Sequence, residues 1–382
     1  MNNFRLSDCC LSISDGDHLA PPKTDEGVPF ITIRNFDTYN DIDFSETMSV
    51  PEEYYDGLKS IRKPQRGDIL YSVVGSFGIP VLIKEDNKFI FQRHIAILRP
   101  NPQKVDTNYL FQLMRSESFY AVADILAIGS AQRTISLTSL RQISIELPSL
   151  EIQQKIGCVL SEYDELIVIN RKKIQVLEEM AMRTYREWFV HMRFPGHETT
   201  PIKDGLPEGW KYDLLSELGS FKRGVNITID EAIEGNVPVI AGGLTPSCYH
   251  NEANTAAPVI TVSASGANAG FTNIFFEDVW AADCSYIDSE CANLFFIYCF
   301  MKTYKEAIDN LQKGSAQPHV YAKDLNNMKI LIPSQQVLTS FRQVVEPFFK
   351  ERQKSQQKIL FLQQMRDKLL PQLMSGKFKV KP

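Results

Sequence analysis

The sequence predicts a mixed α/β (α+β) tandem duplication. Two divergent domains are joined by two long antiparallel coiled-coil helices related by pseudo-twofold symmetry. Three observations predict it. The tetrapeptide GSAQ stands at Gly129–Gln132 and again at Gly314–Gln317, 185 residues on. At that offset each copy is followed by a strand-like segment, LRQISIEL at 140–147 and LNNMKILI at 325–332, and then by Pro148-Ser149 or Pro333-Ser334. A long helical pattern follows each pair in one register, matching Ile156 with Phe341, Val159 with Val344, Tyr163 with Phe348, Ile174 with Ile359, Leu177 with Leu362 and Met180 with Met365. Chance does not hold one register over about 50 residues, so the repeat is a duplication.

Ahead of GSAQ the halves match more weakly. GVPFITI at 27–33 resembles NVPVIAG at 236–242, and GDILYSVVGSFGIPVLI at 67–83 resembles APVITVSASGANAGFTNI at 257–274. Both pairs read as alternating strands around Gly/Ser-rich turns. The resulting division is 1–148 first domain, 149–194 first long helix, 195–205 linker, 206–333 second domain, and 334–382 second long helix and tail. Turn residues run through the linker region PGHETTPIKDGLPEG at 195–209.

Within the first helix, expected over 149–189, Ile152, Ile156, Val159, Tyr163 and Leu166 step by 4, 3, 4, 3, and Ile174 and Leu177 resume the pattern after Asn170. That is the seam of a coiled coil. The second helix, expected over 333–374, carries Val337, Phe341, Val344, Phe348, Ile359 and Leu362 on its seam. Its polar middle, 350–358, aligns with Asn170. This polar gap reads either as solvated surface or as a register-setting device like a buried Asn. Pro371 is expected to disturb the last turn. Helices of about 40 residues would each be about 60 Å long and need a partner, for which the other copy is the obvious candidate.

The chain has 382 residues, enough for two or three domains, and its 43% hydrophobic content suits globular cores. The net charge of -5 does not advertise nucleic acid. Seven cysteines form neither C-x-x-C nor zinc spacing, and with no signal-like start they read as reduced thiols of a cytoplasmic protein. The most apolar stretch, 292–301, is too short to span a membrane and reads as a core helix. No phosphate loop, dinucleotide fingerprint, H-E-x-x-H, G-x-S-x-G or Asn/Asp-Pro-Pro-aromatic motif is present, and the six histidines suggest no metal. The expectation is a non-catalytic binding protein with no cofactor or metal of its own.

The order of several short pieces resembles the specificity subunits of type I restriction–modification systems. These are DGDHLAP at 15–21, VPFITIRN at 28–35, RGDILYSVVGSFG at 66–78, LPSLEIQQKI at 147–156, LPEGW at 206–210, TVSASGANAGF at 261–271 and VWAADCSYI at 279–287. The second helix departs from the pattern, with Gln335-Gln336-Val337-Leu338 where the first has E-x-Q-Q at 151–154. The resemblance implies two target-recognition domains, each reading one half of a split double-stranded DNA site, with the helices as a ruler. It also implies two methyltransferase subunits docked on the helices and two motor-nuclease subunits. S-adenosylmethionine, ATP and Mg2+ are then expected on those partners.

DNA contact needs local positive charge whatever the net charge. Residues 338–382 carry ten Lys/Arg and three Asp/Glu, whereas 224–301 carry nine acids and no Lys or Arg. Candidates for the first half-site are Arg34, Asn35, Lys59, Arg62, Lys63, Ser76, Gln92 and Arg93, with Gln132 and Arg133 beside GSAQ. For the second they are Lys222, Arg223, Asn251, Ser265, Asn268, Gln317 and His319. GSAQ itself reads two ways: as a joint, with Gly129 and Gly314 in turns and Ser130 and Ser315 bonding nearby amides, or as DNA contact through Gln132 and Gln317. The basic tail, 377–381, binds phosphate or merely solubilises an end. The acid-rich second domain motivates an alternative: a coiled-coil scaffold holding two protein-binding domains without DNA readout. A divergent nuclease or methyltransferase lacks its motifs.

Overall fold

A computed structural model describes residues 2–18, 20–130, 132–314 and 317–377. The chain divides into two compact units, Met1–Val168 with Leu360–Pro382, and Ile169–Ile359.

The first unit contains β1 (Asn2–Arg5), β2 (Cys10–Asp15), β3 (Val28–Ile31), β4 (Met48–Val50), β5 (Ile69–Ser72), β6 (Pro80–Leu82), β7 (Ile90–Phe91), β8 (Ile95–Pro100) and β9 (Ser144–Leu147). Its helices are α1 (Glu52–Asp56), α2 (Thr107–Arg115), α3 (Glu117–Leu126), α4 (Leu137–Gln142) and the start of α5 (Leu150–Tyr185). A four-stranded antiparallel sheet has the order β2-β8-β5-β6. A smaller sheet, β4-β3-β7, pairs β3 with β7 in parallel. Strand β5 is buried throughout because both its faces are covered. Successive side chains point to opposite faces. Ile69 and Tyr71 therefore join the cluster that holds Tyr109 and Ile156, while Leu70 joins Phe89 and Phe91. Asp106 and Ser116 cap α2 and α3, each accepting a backbone N–H at the third helical position.

The second unit repeats this frame. A short hairpin, β10 (Ile202–Lys203) and β11 (Leu206–Pro207), precedes β12 (Lys211–Leu214), β13 (Lys222–Arg223), β14 (Val237–Ile240) and β15 (Cys248–His250). Then come β16 (Val259–Ser263), β17 (Thr272–Phe275), β18 (Trp280–Ala281), β19 (Cys284–Ile287) and β20 (Lys329–Ile332). The large sheet is β13-β19-β16-β17 and the small one β15-β14-β18, again with one parallel pair, β14 with β18. Strands β12 and β20 pair as β1 and β9 do, Lys211 opposite Ile332 and Asn2 opposite Leu147. The helices are α6 (Leu294–Thr303), α7 (Lys305–Asp309), α8 (Ala322–Asn326) and α9 (Gln335–Met374). The apolar stretch at 292–301 supplies most of α6, a core helix with Ile297, Cys299 and Met301 fully buried. No helix among the described residues is long and apolar enough to cross a membrane.

The long helices run antiparallel within each unit. In the first, Ile156 and Leu160 share a cluster with Leu370 and Leu373, and Asp164 meets Arg366 at 2.7 Å. In the second, Glu178 meets Arg352 at 2.8 Å and the Phe189 ring lies 5.0 Å from that of Phe341.

Their seam has the expected period but another phase. Ile152 and Leu166 are 41% and 39% exposed, and Val344 is 40% exposed. Val159, Tyr163, Val337 and Phe348 are half-buried, as are Ile174 and Leu177, while Ile156, Phe341, Ile359 and Leu362 are buried. The inward stripe of α5 passes through Gln153, Ile156, Leu160, Asp164, Ile167 and Asn170, then Ile174, Leu177, Ala181 and Tyr185. The cause is that polar residues fill seam positions. Gln153 accepts from the Asp106 amide at 3.0 Å and donates to the Pro148 carbonyl at 3.0 Å, so it is buried where periodicity looks for an apolar side chain. In the polar gap the seam position itself is buried, with Asn170 and Ser355, matched by the 185-residue offset, 6% and 2% exposed, while Lys350, Lys354 and 356–358 around it are exposed. Pro371 does not end the second helix, which runs to Met374 and carries Pro347 as well.

Candidate nucleic-acid interface

In the first unit the GSAQ segment is part of a tight hairpin. Ile128 and Thr134 exchange both backbone hydrogen bonds, at 2.8 and 2.9 Å. The hairpin is stitched to the loop after β5: Gly75 donates to the Arg133 carbonyl at 3.0 Å and Ile135 to the Val73 carbonyl at 3.0 Å. Gly129 has φ 90°, and a Cβ there would fall 2.5 Å from the Gln132 carbonyl oxygen. Only glycine meets both demands. In the second unit Lys313 and His319 exchange the same pair of bonds, at 2.9 and 2.8 Å. Gly266 donates to the Pro318 carbonyl at 3.1 Å and Val320 to the Ala264 carbonyl at 3.0 Å. Gly314 has φ 99° and a Cβ there would lie 2.7 Å from the Gln317 carbonyl oxygen. GSAQ therefore builds one joint twice. Ser130 makes no hydrogen bond among the described residues, which corrects its expected role, and Ser315 lies outside them.

The joint gathers candidates that are far apart in sequence. Ser76 and Gln132 are exposed on its two loops. Arg133 is held by the Asp124 carboxylate, at 2.7 and 2.9 Å. On the other copy Ser265 bridges to His319, whose ring stacks on Tyr321 at 6.0 Å. Asn268 donates to the Gly242 carbonyl at 3.3 Å, and Gln317 is exposed.

A second cluster lies where the DGDH segment leaves β2. Asp15 accepts from Arg62 at 3.2 Å and contacts His18 at 2.5 Å. Asp17 bridges to Gln92, and its carboxylate accepts the Tyr54 hydroxyl. Burial, then that bond, push the Tyr54 hydroxyl up to about 12. Arg62 is thus engaged by acids, and Lys63 donates to the Asp56 carbonyl at 3.0 Å. Asn35 requires a correction. It is 8% exposed, its Oδ1 accepts from the Thr32 amide at 2.9 Å, and its Nδ2 donates to the Asp43 and Glu46 carbonyls at 3.1 and 3.2 Å. The side chain organises its own loop and has no edge to offer a base.

Some candidate cations are paired with acids and some are not. Arg34, Lys59, Arg66 and Arg93 are exposed and make no ion pair among the described residues. In the second unit Lys222 pairs with Glu290 at 3.0 Å, Lys313 with Asp324 at 2.7 Å, and Arg223 with Asp283, which also accepts the Ser265 hydroxyl. Asn251 is exposed just beyond β15. Sequence reasoning missed the acids Asp15, Asp17, Asp124, Asp283, Glu290 and Asp324. The DGDH motif pointed to the first two; the others had no local signal. Among the described residues no group of three or more His, Cys, Asp or Glu could hold a metal ion. Of the basic tail only Lys377 lies within the described residues.

The family model for the type I restriction modification DNA specificity domain matches residues 2–179 and again 207–369. A type I restriction enzyme MjaIX specificity subunit from Methanocaldococcus jannaschii is 26% identical over 379 residues, covering 92% of this chain and 87% of that protein. A putative type I restriction enzyme MjaX specificity subunit from the same organism is 22% identical, covering 82% and 79%. Among solved structures, the S subunit of a type I restriction–modification system from M. genitalium superposes with a TM-score of 0.59 at 17% identity. It covers 100% of this chain and 96% of its own and shares the fold.

Proposed function

This chain belongs to the type I restriction–modification DNA specificity family, as a DNA target-recognition subunit, and we propose that it reads a bipartite site, one half with each domain. One observation carries the reading. The same joint is built twice, with matching backbone bonds, yet its side chains differ: Arg133-Thr134 in one copy and Pro318-His319 in the other. A repeated frame with unlike tips suits two unlike half-sites. Phosphate contacts position such a reader, while base edges contacted by Gln, Asn, Ser and Arg specify it.

The long helices act as the ruler. At 36 and 40 residues they are about 54 and 60 Å long, enough to reach between half-sites one DNA turn, about 34 Å, apart. Methyltransferase subunits dock on this helical region, and motor-nuclease subunits join them in the full complex. S-adenosylmethionine, ATP and Mg2+ belong to those partners, and this chain contributes recognition without catalysis.

The test is a methylome. Deleting the gene should erase one bipartite methylated motif. Exchanging residues 1–148 for those of a relative should change one half of the motif only, and exchanging 206–333 the other half. An unchanged methylome refutes the reading. The paired cations of the second unit favour one rival, a scaffold with two protein-binding domains. Salt-independent behaviour on DNA, even with the methyltransferase present, would decide for it.

A further inference from the structure

The hairpin that carries GSAQ begins with an apolar residue. Ile128 is 73% exposed, and Ile125, at the end of α3, is 82% exposed. Single exposed apolar residues are ordinary on protein surfaces. Two features set Ile128 apart. First, its position is rigid. Its backbone is doubly bonded to Thr134, and Arg133, the neighbour of Thr134, grips Asp124 on α3 through two side-chain bonds at 2.7 and 2.9 Å. A mobile segment pays ordering entropy on every contact, whereas the Ile128 backbone is already held by its bonds to Thr134. Second, the duplication supplies a control. The position 185 residues on, with the same pair of backbone bonds, is Lys313, which pairs with Asp324 at 2.7 Å. The frame is kept and the side chain at this position is replaced, as expected where two copies read different bases.

We propose that Ile128 is a specificity-determining contact of the first domain, taking the 5-methyl group of a thymine in the major groove. Resting on the DNA-reading function above, the assignment follows from chemistry. An aliphatic side chain gains nothing from phosphate and cannot bond a base edge. The thymine methyl is the one apolar group that the major groove displays on a base. Gln132, four residues away on the same hairpin, and Ser76 on the stitched loop supply polar partners for neighbouring edges.

The experiment uses the chain assembled with its methyltransferase, on duplexes carrying the motif found by methylome sequencing. Each thymine is replaced in turn by uracil, which keeps the Watson–Crick edge and lacks the methyl. At one position in the first half-site, uracil should weaken binding by the wild-type chain about fourfold, the worth of one buried methyl(ene) group. Ile128→Ala should bind the natural site about fourfold more weakly and be indifferent to uracil there. Ile128→Lys should lose the preference for that base pair while keeping the second half-site. The proposal is overturned if uracil affects wild type and Ile128→Ala equally at every position. A first half-site with no A·T pair also overturns it, as does Ile128→Ala impairing assembly with the methyltransferase instead of base preference. If the wild-type complex shows no site preference at all, the failure belongs to the DNA-reading function and not to Ile128.

Discussion

At equivalent places in its two halves, this protein solves one packing problem with opposite chemistry. In the first unit Asp164 of α5 lies among Gln112, Arg115 and Arg366, accepting from them at 2.6, 3.0 and 2.7 Å. The residues matched by the 185-residue offset are Ile297, Phe300, Phe349 and Ala181, for Gln112, Arg115, Asp164 and Arg366 respectively. All four are buried. Phe349 stacks on Phe295 with centroids 4.5 Å apart and planes 6° apart. The second unit has its own ion pair, Arg352 with Glu178, three residues along each helix from the matched positions. In both units the acid sits on α5 and the arginine on α9. Symmetry of the backbone did not carry symmetry of charge, since duplication copies the frame and later substitution repacks each copy by itself.

The sharpest way to break the comparison is to remove the centre of each cluster. Asp164→Ala leaves the buried Arg115 guanidinium without its carboxylate and Arg366 with only the exposed Asp367, and should cost about 3–5 kcal/mol. Phe349→Ala leaves a cavity of ring size and should cost a similar about 3–5 kcal/mol. Denaturant melts of both variants check this. If Asp164→Ala costs less than about 1 kcal/mol, the network is solvated and the two clusters are not alternative cores.

The next test transplants one solution into the other half. Gln112→Ile, Arg115→Phe, Asp164→Phe and Arg366→Ala together give the first unit the residues of the second. Replacing a buried ionic cluster by apolar residues is often neutral or stabilising, by about 1–4 kcal/mol, so the quadruple variant should recover what Asp164→Ala loses. Its acid response should change as well. Burial alone would raise the Asp164 carboxyl, but Arg115 and Arg366 outweigh it and hold the group below its ordinary value. Burial lowers the Arg115 guanidinium against the opposing pull of Asp164, yet an arginine starts high enough to stay charged. A carboxyl depressed on folding stabilises above its unfolded value and loses that contribution as pH falls through the folded one. Wild type should therefore weaken below about pH 4 more steeply than the quadruple variant. Parallel acid titrations of urea midpoints would show it; identical curves would mean that Asp164 is not held charged by its partners.

The same contrast explains what the sequence could disclose. The duplication was legible because GSAQ, the following strand and the helix period are local and keep one offset. The joint was legible because Gly129 and Gly314 announce turns. The phase of the helical seam was not, since Gln153 and Asp164 occupy it and an apolar count passes over them. Pairing of charges was not legible either. Lys222 and Glu290 are 68 residues apart, and Arg223 and Asp283 are 60 apart, so composition showed the acids of the second domain but not which cation each one holds. Asn35 misleads for the reverse reason: a polar side chain beside an arginine resembles a reader until its bonds inside the loop are seen.

Those charge pairs give the subtlest distinction between the halves. In the first domain Arg34, Lys59 and Arg93 make no ion pair among the described residues although Arg62 and Arg133 do, while in the second Lys222 and Lys313 each face an acid. Each cation that neutralises a phosphate steepens the fall of log affinity with log salt by about 0.9 on B-form DNA. In the first domain, Arg93→Ala should flatten the slope by about one contact. In the second, the informative change is to the acids. Glu290→Gln and Asp324→Asn release Lys222 and Lys313, so each should raise affinity and steepen the slope by up to about 0.9, Glu290→Gln with the methylated motif unaltered. Asp283 is less suitable, because it also anchors Ser265 at the joint and its loss would disturb the frame. A slope untouched by both acid variants would place these lysines away from the DNA. The second domain would then bind through backbone amides and neutral side chains, and the two halves would differ in how they hold DNA.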